Sequence, residues 1–251
     1  MRATKPFLLV SLFFLTTEVA IADSVVASAS LNWSAATFSG TVAPAPIGGM
    51  PGGPSTAVGT VFEMVAPPFS SSVCIGETTG WTPVACTTQI GPSDFATASA
   101  NSELTATAGV SMLNNSFEED VVRDGTIVVG TNGVVNISIP FTATITPSGP
   151  GNCGLCIDAS VSGNLNLFAP NGVDFVGGDD FFRAGIFGNS GGSSSISGAL
   201  NFSDTGLAPG TYHFEASLFN DVTFVPEPNT YLLLGVGVLG LAGVSFRKRL
   251  T

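Results

Sequence analysis

The sequence predicts an all-β protein: a two-sheet β-sandwich, jelly-roll or Ig-like, carried between two targeting segments. Three observations predict it. Short runs between Ser24 and Phe224 alternate apolar and polar residues with a period of two, the mark of half-buried strands. Gly, Pro and Asn-Gly signals separate those runs and turn the chain. No stretch from Asp23 to Phe224 shows the helical period of about 3.6 residues. The regular spacing of a β-solenoid is absent as well.

Taken in order, Ser24 to Gly40 alternates through Val26, Leu31, Trp33 and Phe38, a first strand. Residues 43–55 hold four prolines and four glycines, too many fixed φ angles and missing donors for a strand or helix, hence a loop. Val58 to Val65 reads as a strand closed by Pro67-Pro68. Cys74 to Cys86 reads as a stapled loop or short hairpin. Leu104 to Met112 alternates again. The acidic run Glu118-Glu119-Asp120 then reads as solvated loop, and Arg123-Asp124-Gly125 as a turn into Thr126 to Val129. Asn132-Gly133 is a type I′ hairpin signal before the clearest strand, with Val135, Ile137, Ile139, Phe141 and Ile145 on one face. Leu155 to Phe168, Phe181 to Phe187, Ile196 to Phe202 and Thr211 to Phe224 complete the set. Asn171-Gly172 and Ala208-Pro209-Gly210 supply turns.

Both ends read as processing segments. Arg2 and Lys5 precede an apolar core, Phe7 to Leu15, and the stretch closes Ala20-Ile21-Ala22 before Asp23. A charged start, a short apolar core and a small-x-small site make residues 1–22 a signal peptide cut after Ala22. At the other end, Pro226-Glu227-Pro228 stays extended, because proline fixes φ and removes donors. Tyr231 to Phe246 carries no charge and partitions into lipid as a helix with its backbone satisfied internally. Arg247, Lys248 and Arg249 resist crossing and stop transfer on the cytoplasmic side. Residues 23–224 are thus the exported passenger and 225–251 its tail.

The order of Pro226-Glu227-Pro228, apolar helix and terminal basic cluster resembles the PEP-CTERM sorting tail of exported proteins in Gram-negative bacteria that make extracellular polysaccharide. The resemblance implies a membrane peptidase, exosortase, as the partner that cuts near the tripeptide and releases or transfers the passenger. It covers about the last tenth of the chain and implies nothing about the passenger's own role. A plain tail anchor that is never cut is the simpler alternative.

Composition narrows the passenger's partners. Five of the seven basic residues lie in the targeting ends, leaving Arg123 and Arg183 against sixteen acids, a formal charge of −14 with no lysine. Such a surface repels nucleic acid and anionic headgroups. Four cysteines, Cys74, Cys86, Cys153 and Cys156, are an even set in an exported chain and imply disulfides. Three connectivities are open, the local Cys74–Cys86 with Cys153–Cys156 being simplest. The Cys153-Gly154-Leu155-Cys156 run leads into a strand rather than a helix N-terminus, which favours a structural bond over a redox pair.

Catalytic signals are thin, and the expectation is a non-enzyme. His213, the one histidine, sits mid-strand without a nucleophile elbow. Glu63, Glu103 and Glu215 have no context that marks a carboxylate pair. No cofactor is implied. Calcium is the candidate ion, since Asp174, Asp179 and Asp180 around Gly177-Gly178 offer hard oxygen ligands, although the spacing is not an EF-hand; Glu118, Glu119 and Asp120 offer the same. Trp33 and Trp81 are the candidates for a sugar-stacking platform. The expected function is an exported surface or matrix protein that meets the export translocon, signal peptidase and exosortase. It is anchored transiently in the inner membrane and ends at the cell surface or outside. A module binding extracellular polysaccharide is the alternative, and a secreted hydrolase a third reading.

Overall fold

The computed structural model describes residues 24–47, 53–63, 70–90, 94–110, 115–148, 157–187 and 192–224. Along them run β1 (Ser24–Leu31), β2 (Thr37–Phe38), β3 (Val42–Pro44), β4 (Ser55–Glu63), β5 (Ser70–Thr78), β6 (Val84–Ile90) and β7 (Asp94–Ala100). Then come β8 (Leu104–Val110), β9 (Asn115–Val129), β10 (Val135–Ser148), β11 (Ile157–Phe168), β12 (Phe175–Phe187), β13 (Ser194–Asp204) and β14 (Gly210–Phe224). A 3-10 turn, Trp33–Ala35, follows β1; the Asn32 side chain caps it by accepting from the Ala35 N–H at 3.1 Å.

The strands form two antiparallel sheets. The first runs β13-β10-β1-β8-β7-β6 with β2 beside β10, and the second β12-β11-β14-β9-β4-β5 with β3 beside β9. The sheets pack face to face in matching order: β8 lies on β9 and β14, β7 on β4 and β9, and β12 beside β13. This is the predicted sandwich.

Alternation explains each face. In β10, Val135, Ile137, Ile139, Phe141, Ala143 and Ile145 are buried and the residues between them are not. The two inner faces are matched in size. From the first sheet Ala27, Ala29, Ala96, Ala98, Ala106 and Ala108 point inward; from the second come Phe117, Arg123, Leu165, Phe214 and Leu218. Small side chains on one face leave room for large ones on the other. Ala106→Leu therefore overpacks the interior, and we expect it to lower the unfolding free energy by about 1–3 kcal/mol in urea titrations.

Several sequence expectations change. The first strand stops at Leu31, with the 3-10 turn separating it from β2, and β3 takes up Ala43 and Pro44 from the expected loop. β9 runs unbroken from Asn115 to Val129 through the acidic run and the supposed Arg123-Asp124-Gly125 turn, because its inward positions Phe117, Val121, Ile127 and Val129 bury with the rest of the core. Asn132-Gly133 does make a tight turn, with Gly133 at φ 65° and its N–H donating to the Gly130 carbonyl at 3.0 Å. It joins β9 in one sheet to β10 in the other, so it is a crossover and not a hairpin. Likewise β5 and β6, which flank the Trp81 loop, lie in different sheets. The Asn171-Gly172 turn, expected as a turn, closes a hairpin between β11 and β12, with Asn171 Oδ1 accepting from the Val173 and Asp174 N–H groups, each at 3.0 Å.

Both margins of the sandwich are braced. At one, Cys74 on β5 and Cys86 on β6 form a disulfide that ties sheet to sheet. At the other, the Asp180 carboxylate on β12 accepts from the Asn201 N–H of β13, joining the two edge strands. An edge whose N–H is already taken is a poorer template for aggregation.

Candidate functional site

Four groupings of polar and aromatic side chains stand out, and the strands position each. The first closes one end of the interior. Trp33 from the 3-10 turn, Phe38 from β2, Trp81 from the β5–β6 crossover and Phe214 from β14 converge there. Phe214 stacks on Trp33 at 6.0 Å between centroids, and Trp33 meets Trp81 edge-on at 5.2 Å. Arg123 reaches into the cluster from β9, its guanidinium carbon 4.9 Å from the Trp33 ring centroid. Its Nη1 donates to the Asn101 carbonyl at 2.9 Å. Burial lowers the Arg123 pKa to about 10, so the cation persists at neutral pH, held by one hydrogen bond and a ring face. Trp81 Nε1 donates to the Asp124 carbonyl at 2.8 Å. Both tryptophans are half-buried and packed against this cluster, Trp33 under Arg123 and Trp81 tied to the Asp124 carbonyl.

The second grouping is the acid inside the core. Glu119 is fully buried on β9 and faces Asn220 of β14 across the ladder. Asn220 Nδ2 spans the interior to donate to the Ala27 carbonyl of the opposite sheet at 3.0 Å, a reach that small inner side chains permit. Desolvation pushes Glu119 well above the ordinary carboxyl range, offset in part by Asn220. Among the described residues, both Glu119 carboxyl oxygens and Asn220 Oδ1 are buried without a hydrogen-bond partner.

The third is the outer face of the second sheet, which is acidic. Asp124 stands directly opposite Glu215, and Glu118 opposite Asp221; like charges so placed destabilise a ladder. Burial first, then Glu215 and Asp120, raise Asp124 to about 7. Burial, Glu215 and Glu118 raise Asp120 to about 6. Burial also raises Glu215, against a hydrogen bond from Asn166 Nδ2 at 3.2 Å. Asp120 and Asp124 hold protons more tightly folded than unfolded, where their pKa is near 3.8. Their favourable contribution is therefore complete below that value and is lost as pH rises through about 6 to 7. We expect a higher urea midpoint at about pH 5 than at about pH 8, and a flatter profile in Asp124→Asn. A midpoint that rises with pH contradicts this assignment.

Of the expected calcium ligands, Asp174 and Asp180 are each engaged within the protein. Asp174 accepts from Asn171 Nδ2 at 2.6 Å within the β11–β12 turn, and Asp180 is bound to Asn201. The Asp179 side chain lies outside the description. Among the described residues no group of three or more His, Cys, Asp or Glu side chains is placed to hold a metal ion. His213 lies on β14 opposite Thr126 and Phe168, with neither a serine nor a carboxylate directly across. Glu103 sits in the exposed connection before β8. Glu63 closes β4, its side chain outside the description.

The fourth grouping, which sequence reading missed, is the outer face of the first sheet. One register row crosses six strands through Thr87, Thr97, Thr107, Ser28, Thr144 and Ser195. The next row holds Ala85, Ser99, Thr105, Ser30, Thr142 and Ser197. Hydroxyls pair along the rows: Ser28 with Thr107 at 2.9 Å, Ser99 with Thr105 at 2.7 Å and Ser30 with Thr142 at 3.0 Å. Neither row contains an ionisable residue. The signal in the sequence is the Thr-Ala-Thr texture of β8 and β10 and the Ala-Thr-Ala-Ser of β7, legible as a face once their neighbours are known.

Residues 1–22, Cys153, Cys156 and the tail from 225 lie outside the described residues, and with them Ala20, Ala22, Pro226, Glu227, Pro228, Tyr231, Phe246, Arg247, Lys248 and Arg249. Among the described residues no helix is long and apolar enough to cross a membrane. Residues 224–249 match the family of the PEP-CTERM protein-sorting motif. The chain therefore carries the tail of an exported protein sorted by exosortase. No curated protein matches the chain.

Proposed function

We propose that this chain is a non-enzymatic surface or matrix protein, an acidic β-sandwich delivered to the cell exterior by its ends. The observation that carries the reading is the sorting match at residues 224–249, which begins where β14 ends at Phe224. That coincidence supports a boundary between a folded cargo, residues 23–224, and an extended signal that a peptidase reaches. On this reading signal peptidase cuts after Ala22 and the chain passes the translocon. The segment Tyr231 to Phe246 then lodges in the inner membrane as Arg247, Lys248 and Arg249 resist transfer. Exosortase acts near Pro226-Glu227-Pro228 and the cargo moves on, without a cofactor. The sheet-to-sheet disulfide supports an oxidising destination.

We read the sandwich as Ig-like rather than jelly-roll. Tyr212, at the start of β14, donates its hydroxyl to the Ala208 carbonyl at 3.0 Å, the corner arrangement of Ig-like sandwiches.

Intact-mass measurement of the protein from native cells, fractionated into cytoplasm, envelope and medium, tests the delivery. The expected product lacks residues 1–22, ends near Glu227 and is found outside the cytoplasm. A full-length mass confined to the cytoplasm ends the proposal, and a mass lacking only residues 1–22 replaces exosortase release with a permanent tail anchor.

A further inference from the structure

We propose that the outer face of the first sheet binds a flat, neutral β-linked glucan, with Phe95 as the stacking ring and the two hydroxyl rows as the hydrogen-bonding bed. This names a partner for the exterior role proposed above and rests on that role for access to polysaccharide.

The geometry starts beside the rows. A third row holds Gln89, Phe95, Gly109, Val26 and Thr146 in register. Phe95 is half-buried, and its ring is laid down over Gly109, where any β-carbon would collide with Cε1 and Cδ1 of the ring. Glycine at that position thus allows an aromatic ring to lie flush with the sheet instead of standing up from it. A flush ring matches the apolar face of a pyranose, and Gln89 sets an amide beside it. The ring lies one register step from Thr97, Thr107 and Ser28.

The hydroxyls suit the edge of the same sugar. A hydroxyl has one donor and two acceptor sites, so a bond between two neighbours leaves hydrogen-bonding capacity on each. Those bonds also hold the side chains in place, which lowers the ordering cost of binding. Neighbouring strands are about 4.8 Å apart, so six of them carry the row across about 24 Å. That is an extended track and not a pocket, and it fits a chain of sugars rather than a monosaccharide.

Charge selects the polymer. None of the three rows contains an ionisable side chain, whereas the passenger as a whole carries −14. A polyanionic polysaccharide is repelled by the molecule and finds no cation on this face. A neutral glucan meets neither obstacle, and the face loses little on drying because it buries no charge.

The test uses full-length protein in detergent, electrophoresed through gels with and without hydroxyethyl cellulose and pulled down on insoluble cellulose. Wild-type protein is expected to be retarded by hydroxyethyl cellulose and retained on cellulose, and not to be retarded by the polyanion alginate. Phe95→Ala is expected to weaken retention about tenfold or more. The double variant Thr107→Val, Thr144→Val, nearly isosteric and so gentler on the fold, is expected to do likewise with an unchanged melting temperature. Thr60→Val, on the outer face of the other sheet, should match wild type. Absence of wild-type retention on both glucans overturns the proposal, as does equal retention by both row variants. Retardation by alginate overturns the choice of a neutral polymer. A protein found at the cell exterior that ignores both glucans leaves the delivery reading standing and removes this one.

Discussion

Phe214→Ala is expected to lower the unfolding free energy by about 3–5 kcal/mol, read from urea or thermal titrations. The side chain is completely buried on β14 and meets Trp33, Phe38 and Trp81 with centroids 6.0, 5.6 and 6.3 Å away. Two costs combine. Truncation removes the ring's transfer free energy, and the strands around it cannot collapse into the space, because Trp33 is held under Arg123 and Trp81 is tied to the Asp124 carbonyl. The aromatic pairs add about 0.5–1.5 kcal/mol each beyond the buried area. Gly125 lies under the same ring, where a β-carbon would come within 2.5 Å of Phe214 Cζ. If Phe214→Ala costs less than about 1 kcal/mol, the closed aromatic end is misassigned.

The second large effect comes from the disulfide. Replacing Cys74 and Cys86 together with serine should cost about 3 kcal/mol, the loop-closure entropy of a short loop. The two residues are 12 apart in sequence and their α-carbons 5.7 Å apart. Position adds to the entropy term, for the bond joins β5 to β6, edge strands of different sheets. Each has one hydrogen-bonded neighbour in its own sheet, so the bond is the covalent restraint between two outermost strands. Reductant should lower the melting temperature of wild type and leave the double variant unchanged. An equal response in both would assign the effect to other cysteines.

How far the sequence foretold this molecule depends on contrast between neighbouring residues. β10 sets Val, Ile, Phe and Ala against Asn, Ser, Thr and Pro, and β14 sets Tyr212, Phe214 and Leu218 against polar or charged neighbours, and both are legible as strands with the correct faces buried. β7, Asp-Phe-Ala-Thr-Ala-Ser-Ala, alternates alanine with hydroxyl residues of similar size, too weak a contrast to announce a strand, yet it is central in its sheet. β9 misled for the opposite reason. Three acids in a row look solvated, but alternation placed Glu119 inward and Glu118 and Asp120 outward, and the core accepted Glu119 with Asn220 opposite. Turn chemistry fixed the local bend at Asn132-Gly133 and left open which sheet follows, since that choice depends on surface buried elsewhere. The candidate face was less legible still. Its rows draw on β6, β7, β8, β1, β10 and β13, and only the pairing of strands distant in sequence aligns Thr107 with Ser28 and Ser28 with Thr144.

The uneven placing of ionisable groups gives the sandwich a polarity of its own. Glu118, Asp120, Asp124, Asp158, Glu215 and Asp221 crowd one broad side, and the hydroxyl rows occupy the other. Such a particle carries an electric dipole across its thickness, its negative end on the outer face of the second sheet and its uncharged end on the hydroxyl rows.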